Sequence, residues 1–135
     1  MSERPTKPTS LPTDRSGPYW AGLATGALLL QACAACGVVR HYPRLLCDRC
    51  YSDQVIWQAA SGRGAIHSWT VAHHAFHPAF ADELPYTLVT VDLAEGPRAL
   101  GRWHGGALAI GLPVRGRIVA RDGLQELLFE PADNA

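Results

Sequence analysis

Cys33-Ala34-Ala35-Cys36 and Cys47-Asp48-Arg49-Cys50 hold every cysteine of the 135-residue chain. A Cys-x-x-Cys pair sits on a tight knuckle that turns two sulfurs toward one point, and Gly37, just after Cys36, supplies the permissive backbone such a turn prefers. Two such pairs describe a four-thiolate tetrahedral site. Sulfur ligation of that kind selects zinc, with rubredoxin-type iron second; two disulfides or a redox dithiol are the remaining readings. Four protein thiolates close the coordination sphere and leave no position for water or substrate, so the expected role of the metal is structural. The loop between the pairs is short, which points to a compact ribbon whose metal-binding free energy is largely its folding free energy.

Outward from the cysteines, the chain divides simply. Residues 1–17, with Pro5, Pro8 and Pro12, read as a disordered tail. Ser16-Gly17-Pro18 is a helix start, a short helix spans residues 19–25, and Gly26 is its left-handed stop. Strands at 27–32, 38–42 and 55–60 complete a helix-plus-ribbon unit over residues 18–60. The apolar run 21–36 resembles a secretory leader, but Gly22 and Gly26 interrupt it, acids precede it, and it is too short to span a bilayer. Reduced thiols place the protein in the cytoplasm by expectation.

Residues 61–131 change character, to strands separated by Gly and Pro, with 132–135 left as a tail. Five strands are expected, at 65–76, 86–93, 98–103, 114–121 and 124–130, and five short antiparallel strands in this length suggest a closed barrel of the OB type. The fold class is therefore mainly β: a short helix, a rubredoxin-like ribbon and a five-stranded OB barrel. The last hairpin can be read residue by residue. A two-residue turn at Asp122-Gly123 sets Arg121 opposite Leu124, Val119 opposite Glu126, Arg117 opposite Leu128 and Arg115 opposite Glu130. The other face pairs Ile118 with Leu127 and Gly116 with Phe129, an aromatic covering a glycine.

That register decides what the arginine stripe Arg115, Arg117, Arg121 is for. Glu126 and Glu130 share its face, so it reads as a self-neutralised outer surface rather than a phosphate track. Twelve basic and twelve acidic residues cancel, and the basic excess of a nucleic-acid binder is missing. A nucleic-acid-binding ribbon and barrel, and a rubredoxin-like electron carrier, stay as alternative readings. His73, His74 and His77 crowd one strand end, but alternating strand faces argue against a second metal site. Ser61, Ser68, His67 and Asp92 can be drawn as a triad, yet no nucleophile elbow frames either serine. Gly62-Arg63-Gly64 precedes a strand, so a dinucleotide fingerprint fails.

The order of parts resembles one family. Tyr19-Trp20 on a helix, Gly26-Ala-Leu-Leu-Leu-Gln-Ala-Cys33-Ala-Ala-Cys36-Gly37, Pro43, Cys47-Asp-Arg-Cys50, Ser61-Gly-Arg-Gly-Ala-Ile-His-Ser-Trp-Thr70 and Ile110-Gly-Leu-Pro-Val114 are similar to an acyl-CoA-associated family that joins a rubredoxin-like zinc ribbon to a C-terminal OB-fold. The resemblance runs from about Tyr19 to Pro131. It implies a non-catalytic accessory subunit that binds thiolase-like enzymes, such as thiolases, sterol-carrier-type thiolase or aldolase homologues and acyl-CoA hydratases, and helps hold or pass an acyl-CoA thioester. Its docking helix matches Tyr19 and Trp20, and with Leu23 these are the expected partner-docking residues; zinc is expected on Cys33, Cys36, Cys47 and Cys50, CoA phosphates on Arg63, Arg98 and Arg102, and neither nucleic acid nor membrane as a partner. His73-His74, His77 and Trp103-His104-Gly105-Gly106 depart from the pattern, which leaves the acyl group unspecified.

Overall fold

A computed structural model describes residues 6–132. Helix α1 covers Gly17–Ala24 and closes in a Schellman turn, with Ala27 N–H donating to Gly22 O (2.8 Å) and Gly26 N–H to Leu23 O (3.0 Å). Gly26 takes the φ of +86° that this closure demands. Three short strands follow, β1 (Leu29–Cys33), β2 (Val39–Arg40) and β3 (Val55–Ala59), in the antiparallel order β2-β1-β3. This is the expected ribbon, with β1 starting two residues late because the helix closure uses Ala27, and with β2 reduced to two residues between the knuckles.

The second unit contains β4 (Arg63–Ala72), β5 (Tyr86–Leu93), β6 (Arg98–Trp103), β7 (Pro113–Arg121) and β8 (Leu124–Pro131), closed into a barrel in the order β4-β5-β6-β8-β7. Strand β7 returns to β4 through Gly64↔Val114, and β6 meets β8 in parallel at Trp103↔Phe129. Closure removes both sheet edges, and the Greek-key order with one parallel pair is that of an OB-fold. Strand β4 stops at Ala72 rather than Phe76, and a 3₁₀ turn at Pro78–Glu83, too short to show a helical period in the sequence, fills the connection.

The last hairpin has the expected register at every pair, from Arg121↔Leu124 to Arg115↔Glu130. Asp122 and Gly123 carry φ of +52° and +80°, the two positive values of a type I′ turn. Phe129 is fully buried, and its ring lies over two glycines: a Cβ on Gly101 would stand 2.6 Å from it and one on Gly116 2.8 Å. Outside, Arg117 pairs with Glu130 (3.1 Å) and Arg121 with Glu126 (3.0 Å), the neutralised stripe in side-chain form.

One contiguous core joins both units. Tyr19 and Leu23 of α1 and Leu28 and Leu30 of the ribbon pack with Ile66, Val89, Val91, Val114, Leu127 and Phe129 of the barrel. The leader also touches the body. Lys7, 8% exposed, sets its ammonium 2.7 Å from Glu83 and 3.1 Å from Asp122 and lies over the Phe80 ring. A residue of the proline-rich leader thus finds its partners on the barrel, at a partly buried carboxylate.

Candidate metal centre and the surfaces around it

Strands β1 and β3 carry the first knuckle up to the second. The four cysteine sulfurs lie within 4.8 Å of one another, with Cys33 Sγ 3.5 Å from Cys50 Sγ and Cys36 Sγ 3.6 Å from Cys47 Sγ. A disulfide needs about 2.05 Å, whereas the edge of a tetrahedron with metal–sulfur bonds of about 2.3 Å is about 3.8 Å. The donor set thus fits a thiophilic tetrahedral ion and not a pair of disulfides. Backbone N–H groups of Cys36 and Arg49 point at Cys33 Sγ and Cys47 Sγ, both at 3.4 Å.

The electrostatics agree. The Cys36 backbone N–H, ahead of opposing burial, pulls the Cys33 thiol down to about 6. Cys47 is lowered by the backbone N–H groups of Cys50 and Arg49. At Cys50 the Ser52 N–H also favours the thiolate, but the neighbouring sulfurs of Cys33, Cys47 and Cys36 push the thiol up to about 11. Crowded thiolates that cannot all ionise alone do so around a divalent cation.

Behind the site lies a residue that the sequence reading passed over. Gln31 is 2% exposed, and its Oε1 accepts from both Arg40 Nε and the Arg44 backbone N–H (2.8 Å). It ties the loop after β2 to β1 and so fixes the second knuckle against the first. The available signal was a lone polar residue in an apolar strand.

The docking and CoA residues fare differently. Tyr19 (8% exposed) and Leu23 (3%) are buried in the chain's own core, so the exposed patch expected from Tyr19, Trp20 and Leu23 is not present as such. Barrel and ribbon together offer these side chains more apolar surface than the ribbon alone. Trp20 is half-buried, edge-on to Tyr19, and lines two shallow cavities of about 270 and 330 Å³ with Leu23 and Phe80. The larger adds Tyr86, Leu88, Leu100 and Arg102 to its wall.

Arg98 and Arg102 do share a face of β6, but each is held by a carboxylate. Arg98 Nε lies 2.6 Å from Asp92, while Arg102 pairs with Glu83 and stacks over the Tyr86 ring. They stand four steps apart along the strand, roughly 13 Å at about 3.3 Å per residue, too far for one phosphate. Arg63 begins β4 opposite Arg115. The three arginines are therefore not brought to one point. His67 Nδ1 lies 3.6 Å from Asp92, but Ser68 Oγ is engaged by Thr90 Oγ1 at 2.6 Å, and the triad drawn on paper does not assemble. His77 Nδ1 accepts from the Ala79 N–H and starts the 3₁₀ turn.

Glu83 is the polar hub of the other end. Burial alone would raise its carboxyl, but hydrogen bonds from Lys7 and Arg102 hold it down at about 2, and Arg121 adds a contact at 3.2 Å. No helix among the described residues is long and apolar enough to cross a membrane.

Comparison with known proteins follows the same division. Residues 20–55 match the ChsH2 rubredoxin-like zinc ribbon domain, and residues 57–119 match the ChsH2 C-terminal OB-fold domain. A probable enoyl-CoA hydratase alpha subunit of Thermomonospora curvata is 39% identical over 105 residues, 75% of this chain and 32% of its own. A 3-oxo-4,17-pregnadiene-20-carboxyl-CoA hydratase alpha subunit of Mycobacterium tuberculosis is 33% identical over 100 residues, 72% of this chain and 31% of its own. The chain thus spans about a third of the length of these curated relatives. Among solved structures, a chain of the Ltp2-ChsH2(DUF35) aldolase superposes with a TM-score of 0.84 at 32% identity, covering 93% of this chain and all of that one. A DUF35-family protein of unknown function from Sulfolobus solfataricus shares the fold at 13% identity, with a TM-score of 0.60 over 88% of this chain and 86% of that one. With the ribbon, the barrel and a relative matched along its whole length, the chain belongs to the ChsH2 (DUF35) family of zinc-ribbon and OB-fold proteins.

Proposed function

We propose that this chain is a non-catalytic accessory subunit that docks on a thiolase-like enzyme, of the thiolase, aldolase or acyl-CoA hydratase kind, and helps hold its acyl-CoA thioester. The observation that carries the reading is the full-length likeness to the ChsH2(DUF35) chain of an aldolase that also names Ltp2. The names of two relatives as CoA-thioester hydratase subunits support the substrate class. In this reading zinc fills the four-thiolate site and holds the ribbon's shape, and the reacting groups belong to the partner.

The docking surface in this reading is a groove beside α1 rather than the patch of Tyr19, Trp20 and Leu23. Trp20, Phe80, Leu88 and Leu100 line one apolar groove beside α1, and Leu100 is 46% exposed. Half-exposed aromatics of this kind anchor interfaces. Tyr19 and Leu23 act beneath it, by holding the helix that carries Trp20. Co-expression with a thiolase-like partner tests the proposal: the two should co-purify, and Trp20→Ala with Leu100→Glu should separate them while metal content stays stoichiometric. Retained co-purification in that folded double variant would refute this docking surface, and failure of the wild-type pair to associate with any such enzyme would refute the function.

A further inference from the structure

A second cleft opens where the ribbon meets the barrel, away from Trp20. It has a volume of about 380 Å³ and is lined by Arg40, Arg44, Arg49 and Arg98, with Asp48 and Asp92 as its acids. The two acids are taken: Asp48 lies 3.5 Å from Arg44 and Asp92 2.6 Å from Arg98. Among the described residues, no carboxylate pairs with Arg40 or Arg49. Four guanidiniums against two carboxylates leave a local excess of positive charge on a chain whose formal net charge is zero.

Burial sharpens the point. Arg40 is 6% exposed; its Nε is spent on Gln31 and its Nη2 on the Arg44 carbonyl, while its Nη1 is buried with no partner. Native interiors seldom leave such a donor without an acceptor. A planar guanidinium fixed by two of its nitrogens at the wall of a polar cleft, and still short of one acceptor, is preorganised for an oxyanion.

We propose that this ribbon–barrel cleft is an anion site that takes the phosphoryl end of a small molecule between Arg40 and Arg49, with Arg44 and Arg98 at its rim. The site itself stands on the cleft alone; only the identification of its ligand as CoA rests on the acyl-CoA reading above. It also moves the phosphate contacts away from Arg63 and Arg102, neither of which lines the cleft, and keeps only Arg98 of the three.

Calorimetric titration of the full-length, metal-loaded chain tests this, with pyrophosphate and CoA as separate probes. Arg49→Gln is the first variant, because the knuckle uses only the backbone of that residue, and Arg98→Gln is the second; metal content and melting show that both are folded. Both probes should bind, and Arg49→Gln should weaken each about tenfold, the effect of one lost charge-assisted contact. Pyrophosphate binding that depends on Arg49 without CoA binding would uphold the anion site and sink the acyl-CoA reading. CoA binding that neither variant changes would overturn the site and leave that reading intact. If pyrophosphate gives no binding to the folded protein, the proposal is overturned and the guanidiniums serve to offset the charge of the tetrathiolate. Submicromolar binding of single-stranded DNA, lost in Arg49→Gln, would overturn it in favour of a nucleic-acid surface.

Discussion

Phe129 shows how closely single residues are specified here. Its ring fills the space that side chains on Gly101 and Gly116 would occupy, and the two strands that flank β8 in the barrel, β6 and β7, must both be bare for it to fit. Gly101→Ala should therefore destabilise the barrel by about 1–3 kcal/mol through overpacking, read as a lowered midpoint in denaturant with an unchanged slope. The Gly116 contact was legible in the hairpin register; the Gly101 contact was not, because parallel pairing of β6 with β8 leaves no local trace. Glu83 gives a pH prediction at the same scale. Its folded carboxyl titrates near 2 against an ordinary 4.5, so its stabilisation is complete above about 4.5 and is lost as the pH falls toward 2. Burial lowers His41 from 6.5 to about 4, so stability from keeping it neutral is complete above 6.5 and fades as the pH falls toward 4. Melting temperature should fall in two overlapping steps between pH 7 and pH 2. In Glu83→Gln the lower step should be missing, and a profile identical to wild type would contradict the hub.

At the scale of elements, the ribbon and α1 depend on different forces. The ribbon is closed at its knuckles by four sulfurs, so Cys47→Ser or a strong chelator should release metal and loosen β1–β3. Elemental analysis together with melting checks this; stoichiometric metal and unchanged melting in Cys47→Ser would refute the site. Helix α1 is held by packing instead. Tyr19→Ala should cost about 3–5 kcal/mol, as truncation of a buried aromatic does, whereas Trp20→Ala should cost far less in stability. The same Trp20→Ala change should remove about 2 kcal/mol or more of partner binding if that ring is an anchor. Calorimetry and co-purification on the two variants separate core from interface, and the reverse pattern would show that they had been exchanged. Composition marked both aromatics alike; only the direction each takes from an eight-residue helix tells them apart.

Across the whole molecule, opposite charges are interleaved rather than segregated, apart from the ribbon–barrel cleft. Binding to single-stranded DNA or RNA should then be no tighter than the non-specific range, roughly 10⁻⁴–10⁻⁶ M at physiological salt. Filter binding across a salt series checks it, and a submicromolar complex with a steep slope would show that the field is concentrated after all. What the sequence determined by itself was whatever is encoded locally. Cysteine spacing set the metal knuckles, Asp122-Gly123 set the hairpin and hence its register, and five punctuated apolar runs set a barrel. These depend on neighbours within a few residues, where turn geometry and strand alternation leave few choices. Tertiary structure alone decided which polar and aromatic residues the body would absorb. Tyr19 and Leu23 went inward because the barrel extends the ribbon's small core. Lys7 was drawn from the leader to the partly buried Glu83, and Arg98 and Arg102 went to separate carboxylates. Arg40 was left with an unspent donor in a cleft formed by β2 and the β5–β6 turn. Each of these outcomes rests on a contact between residues distant in the chain, and burial, unlike periodicity, is a property of the assembled surface.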